Sequence, residues 1–218
     1  MPCLENLVGP DDDVDTDYPY ASMSVENPWD AMEPASVLVG RLPAGGACGS
    51  GMAVKYLDRL AVVTGGSAPR APFGIGAEKW ESASRATFGL FSDRELHVSP
   101  PVWEGNLDAT LRGEPDLLYF NLHGSNEPGE PGWFGESLDG QYSVAIRPEH
   151  FAEMQKANIV GVEACYGAKF SGLPPTGSSL LRALGSATLG FVGSSRIAFG
   201  PPEPPIKLAD VVIGHFLK

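Results

Sequence analysis

The fold of this chain is decided by two short apolar runs, DLLYFNLHGS at residues 116–125 and NIVGVEACYGA at residues 158–168. Each run is too short for a helix, is rich in branched and aromatic side chains, and carries polar residues at its end. Such runs are typical of buried parallel strands. Because sites in open α/β sheets form at the carboxyl ends of strands, we expect His123 and Cys165 to approach each other there. A cysteine beside a histidine is a nucleophile beside its proton acceptor.

The rest of the chain alternates predicted strands and helices. The predicted strands cover residues 37–42, 60–63, 96–98 and 188–192, and the predicted helices cover residues 51–59, 78–91, 107–112, 148–156, 176–184 and 208 onward. A proline-rich loop is predicted over residues 67–76, and a long polar excursion after His123. Strands that alternate with helices indicate an α/β fold, with right-handed crossovers and a mostly parallel sheet flanked by helices.

The chain length and the net charge limit the classes of protein to which this sequence can belong. A chain of 218 residues with 43% hydrophobic content can bury a substantial core. We predict an acidic lead-in over residues 1–34 and one domain over residues 35–218, with its last helix cut short at the chain end. The formal net charge of −12 disfavours nonspecific nucleic-acid or anionic-membrane binding. No stretch approaches the ~20 apolar residues that a membrane helix needs.

The number of cysteines and the first ten residues bear on the cellular location of the protein. Three cysteines, Cys3, Cys48 and Cys165, cannot build a disulfide framework. The first ten residues show neither a basic leader nor a long apolar run, so no signal peptide is visible. We expect a cytoplasmic protein, or a secreted one if the chain is an excised fragment. Cys3 and Cys48 lie in Gly- or Pro-flanked loops, and we assign them no chemistry.

The two strand ends carry a resemblance. The His-Gly pair at 123–124 and the Glu-Ala-Cys-Tyr-Gly run at 163–167 resemble the His-Gly and Ala-Cys-x-Gly pattern of the caspase/legumain/clostripain/gingipain clan of cysteine peptidases. Residues 15–20, 37–44 and 190–200 resemble segments of the gingipain catalytic domain in the same order. The resemblance covers residue 15 to the end, and it implies a caspase-like three-layer sandwich and cysteine-type endopeptidase activity on polypeptides.

The resemblance also implies roles. Cys165 would be the nucleophile, His123 the base, and the backbone amides of Gly124 and Cys165 the donors to the oxyanion. A thiol of ordinary pKa, about 8.5, is mostly protonated at neutral pH, so a base is needed. The alternative is structural, since a strand-end cysteine is often a small buried hydrophobe and a histidine often a packing residue. Gingipain-like enzymes usually carry an upstream sheet and a downstream immunoglobulin-like domain, so a noncatalytic or latent interaction domain of a larger protein is the alternative function.

Specificity depends first on Glu163. It lies two residues before Cys165, so an extended strand would point both side chains to the same side. Clostripain-like relatives with an acidic residue there prefer arginine, which favours cleavage after a basic residue, Arg over Lys. Legumain-like relatives carry Glu-Ala-Cys itself and cleave after asparagine. Glu163 could instead pair with an internal arginine such as Arg196.

Other candidates have equally open roles. Ser194 and Ser195 line the substrate pocket or act only as turn residues. Trp133, with its neighbour Phe134, walls the cleft or anchors a long loop. The remaining histidines are assigned surface or packing roles; these are His97, His150 and His215.

Metal sites are weakly indicated. The acidic run at residues 11–17 offers oxygen ligands that calcium favours, and gingipain-like domains bind calcium, but the run lacks the glycine and distal glutamate of an EF-hand. A solvated, partly disordered lead-in is therefore the preferred interpretation of this run. A zinc site from Cys165, His123 and Glu163 lacks the usual paired spacing. We therefore predict no required cofactor and no metal ligands, with calcium kept as an alternative.

Overall fold

The computed structural model of the chain describes residues 71–103, 105–107, 115–125, 132–151, 159–168 and 190–193, together with Val54, Leu57, Asp58, Ile213, Gly214 and Leu217. All of these residues belong to the unit Ala44–Lys218. The predicted domain boundary at residue 34, the predicted strands at 37–42 and 60–63, and the predicted helix at 176–184 lie outside the described residues. Within the predicted helix 51–59, the three described positions are helical.

Eight strands are described in these ranges. In chain order they are β1 (Pro72–Ala77), β2 (His97–Ser99), β3 (Leu117–Asn121), β4 (His123–Gly124), β5 (Trp133–Glu136), β6 (Tyr142–Ile146), β7 (Ile159–Val162) and β8 (Gly190–Gly193). The helical elements are a 3-10 helix at Glu78–Trp80, the α-helix α1 at Glu81–Phe88, and a 3-10 helix at Pro148–Phe151.

Five of the strands form one parallel sheet in the order β2-β1-β3-β7-β8. Strand β3 lies at its centre, with Phe120 paired to Ile75 of β1 and to Val162 of β7. Strands β4, β5 and β6 form a second, antiparallel sheet. The mostly parallel sheet and its helices confirm the predicted α/β class.

The side chains of β3 explain why its sequence is apolar at almost every position. Leu117 and Tyr119 pack on one face of the sheet, in a cluster that includes Phe88 of α1 and the carboxyl-terminal Leu217. Leu118, next along the strand, packs on the other face, in a cluster that includes residues of β5, β6 and the second 3-10 helix. All five residues of β3 are buried. A strand covered on both faces needs apolar side chains in both directions, which removes the alternation of a half-exposed strand.

Helix α1 packs closely on the sheet because β1 presents glycines to it. A Cβ built on Gly76 would lie 2.6 Å from Ser84 Oγ, and one on Gly74 would lie 2.6 Å from the Phe88 ring. Ser84 is fully buried and accepts a 3.0 Å hydrogen bond from the side-chain amide of Asn121. This bond ties α1 to the carboxyl end of β3, close to the start of β4.

The structure corrects the prediction of a proline-rich loop over residues 67–76. Residues Pro72–Ala77 form β1, and five of its six residues are buried. Proline and glycine are usually signals of a turn, but here Pro72 takes the first position of the strand, where a missing N–H is tolerated, and the glycines serve the packing of α1. The pattern therefore hid a strand that occupies a central place in the sheet.

Two further predictions change around the histidine. The run 116–125 is not one strand, because β3 ends at Asn121 and His123–Gly124 begin the second sheet. The predicted polar excursion contains the hairpin β5–β6, whose turn includes Gly140 in the left-handed conformation at φ 85°. Hydrophobic periodicity could not assign four- and five-residue strands in a stretch dominated by glycine and polar residues.

The other predicted elements agree with the structure to within a few residues. The predicted helix 78–91 is the 3-10 helix followed by α1, which ends at Phe88. Predicted strands 96–98 and 188–192 correspond to β2 and β8, and the start of predicted helix 148–156 is the second 3-10 helix. Leu107 is helical, as are the three described positions after residue 208. Among the residues described, no helix is long and apolar enough to cross a membrane.

The central strand provides a test of this packing. Leu118 is fully buried in β3, whereas Leu138 in the hairpin turn is 78% exposed. We expect Leu118→Ala to lower the free energy of unfolding by about 2–5 kcal/mol, because it leaves a cavity in the core. The same substitution at Leu138 should change it by less than about 0.5 kcal/mol. Urea unfolding followed by circular dichroism measures both, and equal effects would contradict the assigned burial.

Candidate functional site

His123 and Cys165 follow the ends of two adjacent strands. Strands β3 and β7 are paired in parallel, and the Glu163 N–H continues the pairing with a 2.7 Å hydrogen bond to the Phe120 carbonyl. The chain therefore leaves both strands at the same edge of the sheet. His123 comes two residues after β3, and Cys165 comes three residues after β7.

Gly124 brings the two segments into direct contact. A Cβ built on Gly124 would lie 1.8 Å from the carbonyl oxygen of Cys165 and 3.1 Å from its backbone nitrogen. Only a residue without a side chain permits this approach of one backbone to another. The structure thus places Gly124, which directly follows His123, against the backbone of Cys165.

Cys165 lies in a tight turn directly after the core. Ala164 is fully buried, residues 165–168 form a turn, and the Gly167 N–H donates a 3.2 Å hydrogen bond to the Ala164 carbonyl. Cys165 is half-buried. Tyr166 takes the left-handed conformation at φ 58°, which is uncommon for a residue with a side chain. Such backbone strain is found at functional sites, where the surrounding structure maintains it.

The His123 imidazole is held on several sides. Its Nε2 atom lies 2.7 Å from Oε2 of Glu136, a residue that is only 3% exposed. The Trp80 ring lies 4.4 Å from the imidazole, centroid to centroid, and the Tyr142 ring lies 4.9 Å from it. Two aromatic rings and a hydrogen bond restrict the rotation of the imidazole.

Glu136 is also bound by Lys79, whose ammonium contacts Oε1. Burial raises the pKa of Glu136, but the hydrogen bonds and charges of Lys79 and His123 outweigh it and hold the pKa below the ordinary value of 4.5. The hydrogen bond to Glu136 raises the pKa of Lys79. Glu136 is therefore a carboxylate at neutral pH, and a carboxylate only accepts hydrogen bonds. Nε2 of His123 must then be the donor, which leaves Nδ1 as the atom that can accept a proton.

These four contact residues were missed by the sequence analysis. Glu136 lies in the hairpin β5–β6, Lys79 and Trp80 lie in the first 3-10 helix, and Tyr142 begins β6. They come from two separate parts of the chain, the 3-10 helix and the hairpin, and share no motif. The one available signal was an acidic residue at the end of the otherwise apolar segment 133–136, and it is weak without the strand assignment.

The predicted substrate-binding residues differ in where the structure places them. Glu163 follows β7, is half-buried, and has a fully buried Oε1 atom. Trp133 is 3% exposed and packs against Phe151 in the core, which supports the anchor alternative and leaves the ring little surface for a substrate. Ser194 and Ser195 lie outside the described residues, as does Arg196.

Among the residues that the structure describes, no three His, Cys, Asp or Glu side chains are grouped so as to hold a metal ion. The acidic run at residues 11–17 lies outside those ranges.

A cavity of about 240 Å³ lies elsewhere, at the amino ends of the strands. Its lining includes Pro72 and Phe73 of β1, His97 of β2, and the neighbouring Arg94. Burial lowers the pKa of His97, with Glu95 opposing the effect. This cavity is at the opposite edge of the parallel sheet from Cys165, and its lining contains no nucleophile, so the candidate site is the one at the carboxyl edge.

Comparison with known proteins adds no relative. No protein-family model, curated protein sequence or solved structure matches the chain. Evidence for the function of this chain therefore comes from the site geometry and from the motifs in the sequence.

The contact at Gly124 can be tested by a substitution that adds a single methyl group. Gly124→Ala would place its Cβ inside the Cys165 carbonyl, so one backbone segment must move, and we expect a loss of roughly 1–3 kcal/mol in the free energy of unfolding. Gly132→Ala is the matched control, since its Cβ would meet its neighbours at 3.4 Å or more. Urea unfolding of both variants measures the difference, and an unperturbed Gly124→Ala protein would contradict the contact.

The ionised state of Glu136 predicts a pH dependence of stability. A carboxyl whose pKa is lower in the folded state than in the unfolded chain stabilises the fold above the unfolded value. That contribution is lost as the pH falls below about 4.5, through the lower folded value. We therefore expect the free energy of unfolding to fall more steeply from pH 5 to pH 3 in the wild type than in Glu136→Gln.

The control for this titration is Glu81→Gln. Glu81 pairs with Arg85 on the exposed side of α1, at 2.7 Å. Exposed pairs of this kind contribute little to stability, so the Glu81→Gln curve should follow the wild type across the same pH range. A Glu136→Gln curve that also follows the wild type would show that Glu136 is not held as a carboxylate by its partners.

Proposed function

We propose that this protein is a cysteine endopeptidase with a His123/Cys165 dyad, and that Glu136 positions the histidine. The observation that carries the proposal is the contact of Gly124 with the Cys165 backbone, beside an imidazole held by a buried carboxylate. A nucleophile, a base and a residue that orients the base form the arrangement by which nucleophilic hydrolases are recognised.

The protonation of His123 supports the role of a base. With Nε2–H donated to Glu136, the Nδ1 lone pair accepts the thiol proton as Cys165 Sγ attacks the carbonyl carbon of the substrate. The imidazolium then gives that proton to the leaving amine, and an acyl-enzyme remains. Water, deprotonated by the same imidazole, attacks the thioester and releases the acid product and the free thiol. Atoms and protons balance without a cofactor.

The oxyanion is assigned to the backbone N–H groups of Gly124 and Cys165. Both belong to segments that contact each other, so their positions are set before a substrate binds. Donors fixed in this way stabilise the charge that develops on the carbonyl oxygen, and loss of one such donor costs about 10²–10³ in rate in other hydrolases.

The primary pocket is proposed to take a basic side chain, Arg over Lys, with Glu163 as its acidic partner. Glu163 follows directly after β7, two residues before Cys165, and remains partly accessible. A buried carboxylate oxygen next to the nucleophile is the chemistry that recognises a guanidinium. The caspase-like three-layer sandwich is part of the same proposal, and it is supported by a parallel sheet that is covered by apolar clusters on both faces.

The test is hydrolysis of fluorogenic peptides that end in Arg, Lys, Asn or Asp, with and without calcium. We expect turnover after Arg or Lys. Cys165→Ala and His123→Ala should each reduce kcat/KM by about 10³-fold or more. Glu136→Gln should reduce kcat by roughly 10²–10⁴-fold, because it removes the acceptor that selects the tautomer of His123.

The matched control is His150→Ala. His150 accepts a hydrogen bond from the Arg147 N–H within its own turn, so its removal should leave kcat/KM within about twofold of the wild type. Turnover only after Asn or Asp would preserve the dyad and reject Glu163 as the partner of a basic residue. A folded protein with no turnover on any peptide would instead favour the noncatalytic interaction domain.

A further inference from the structure

The buried carboxylate of Glu136 lies between two basic groups. Oε2 contacts Nε2 of His123, and Oε1 contacts Nζ of Lys79. The side chain of Glu136 is 4% exposed, that of His123 is 28% exposed and that of Lys79 is 50% exposed. The buried carboxylate of Glu136 therefore lies between the half-exposed ammonium of Lys79 and the imidazole of His123.

Titratable groups surround Glu136 from several of the elements that pack against β5. The titratable groups on these elements are Glu78 and Lys79 of the first 3-10 helix, His97 of β2, His123 of β4 and Tyr142 of β6. Glu78 accepts a hydrogen bond from the Leu138 N–H, beyond the end of the strand. His97 packs its ring on Phe73. Among these described groups, Lys79 is the one permanent cation at Glu136.

A buried carboxylate needs one positive charge close to it. Lys79 supplies that charge as long as its ammonium is present, so the imidazole of His123 can donate one N–H and still be neutral. Without Lys79, the remaining source of positive charge is a second proton on His123. An imidazolium cannot accept the thiol proton.

We infer that Lys79 is a positioning residue, whose ammonium neutralises Glu136 so that His123 is held through Nε2 and yet keeps Nδ1 free to act as a base. The effect on catalysis depends on the proposed peptidase function. The charge arrangement itself does not, because it involves only the contacts of Glu136.

The first experiment is the pH dependence of kcat/KM for Lys79→Met, Lys79→Arg and the wild type. We expect the acid limb of the Lys79→Met profile to move up by roughly one pH unit, because the charge of the half-exposed Lys79 acts on His123 across Glu136 and is largely screened by water. Activity on the acid limb should therefore fall about tenfold, with the plateau near pH 8.5 almost unchanged. Lys79→Arg keeps the cation and should restore the wild-type limb.

Arg85→Met is the matched control, because it also removes one ion-paired cation, but from the exposed side of α1. Its profile should coincide with the wild type. A general loss of charge would shift both methionine variants equally, and an unshifted Lys79→Met profile would overturn the inference.

The second experiment does not require activity. The ¹⁵N spectrum of the His123 ring, recorded over a pH series in the full chain, distinguishes the imidazolium from the neutral Nε2–H tautomer. We expect the imidazolium to persist to a pH about one unit higher in Lys79→Met than in wild type, and not in Lys79→Arg or Arg85→Met. If this shift is found in a protein with no peptidase activity, Lys79 has the inferred role and the proposed function fails. If peptidase activity is present without the shift, the inference fails alone.

Discussion

The parallel pairing of β3 with β7 is the constraint on which the site depends. Phe120 and Val162 are paired, and both are buried, so the two chains must leave the sheet at the same edge and within a strand spacing of each other. The register is well specified because a shift of one residue would turn the apolar side chains of β7 to the wrong faces. Once this register forms, the segment after β3 and the turn after β7 are neighbours without any further interaction. The close contact of Gly124 with Cys165 then follows from the absence of a side chain at one position.

The second physical element is a buried charge. Burying a carboxylate is costly unless it is paired and hydrogen-bonded, and Glu136 meets both conditions with Lys79 and His123. The same two partners that make its burial tolerable also fix the orientation of the imidazole. Stability and site geometry therefore depend on one set of contacts. The antiparallel sheet β4-β5-β6 is what delivers Glu136 to His123, because His123 and the hairpin share a sheet although 13 positions separate the two residues.

Much of the fold could be predicted because its strongest signals are local. The apolar runs that became β3 and β7 are buried on both faces, so composition alone identified them, and the 3.6-residue spacing of apolar side chains located α1. β1 was missed because its proline and glycines indicate a turn, although here they begin a strand and admit a helix. The hairpin was missed because its strands are short and lie in a stretch dominated by glycine and polar residues. The sequence allows Trp133 either to wall a cleft or to anchor a loop, and only its burial beside Phe151 distinguishes the two.

The sequence by itself determined the α/β class, the two central strands and the placement of His123 and Cys165 at strand ends, because each of these depends on neighbours in the chain. The motifs at those ends also indicated the chemistry of a thiol and an imidazole. Only the tertiary structure decided that Glu136 accepts from His123, that Lys79 neutralises Glu136, and that Trp80 and Tyr142 enclose the imidazole. Those residues are distant in sequence and belong to elements with no shared pattern. Their contacts arise from the packing of a 3-10 helix and a hairpin around one buried carboxylate, and such packing leaves no periodic trace in the chain.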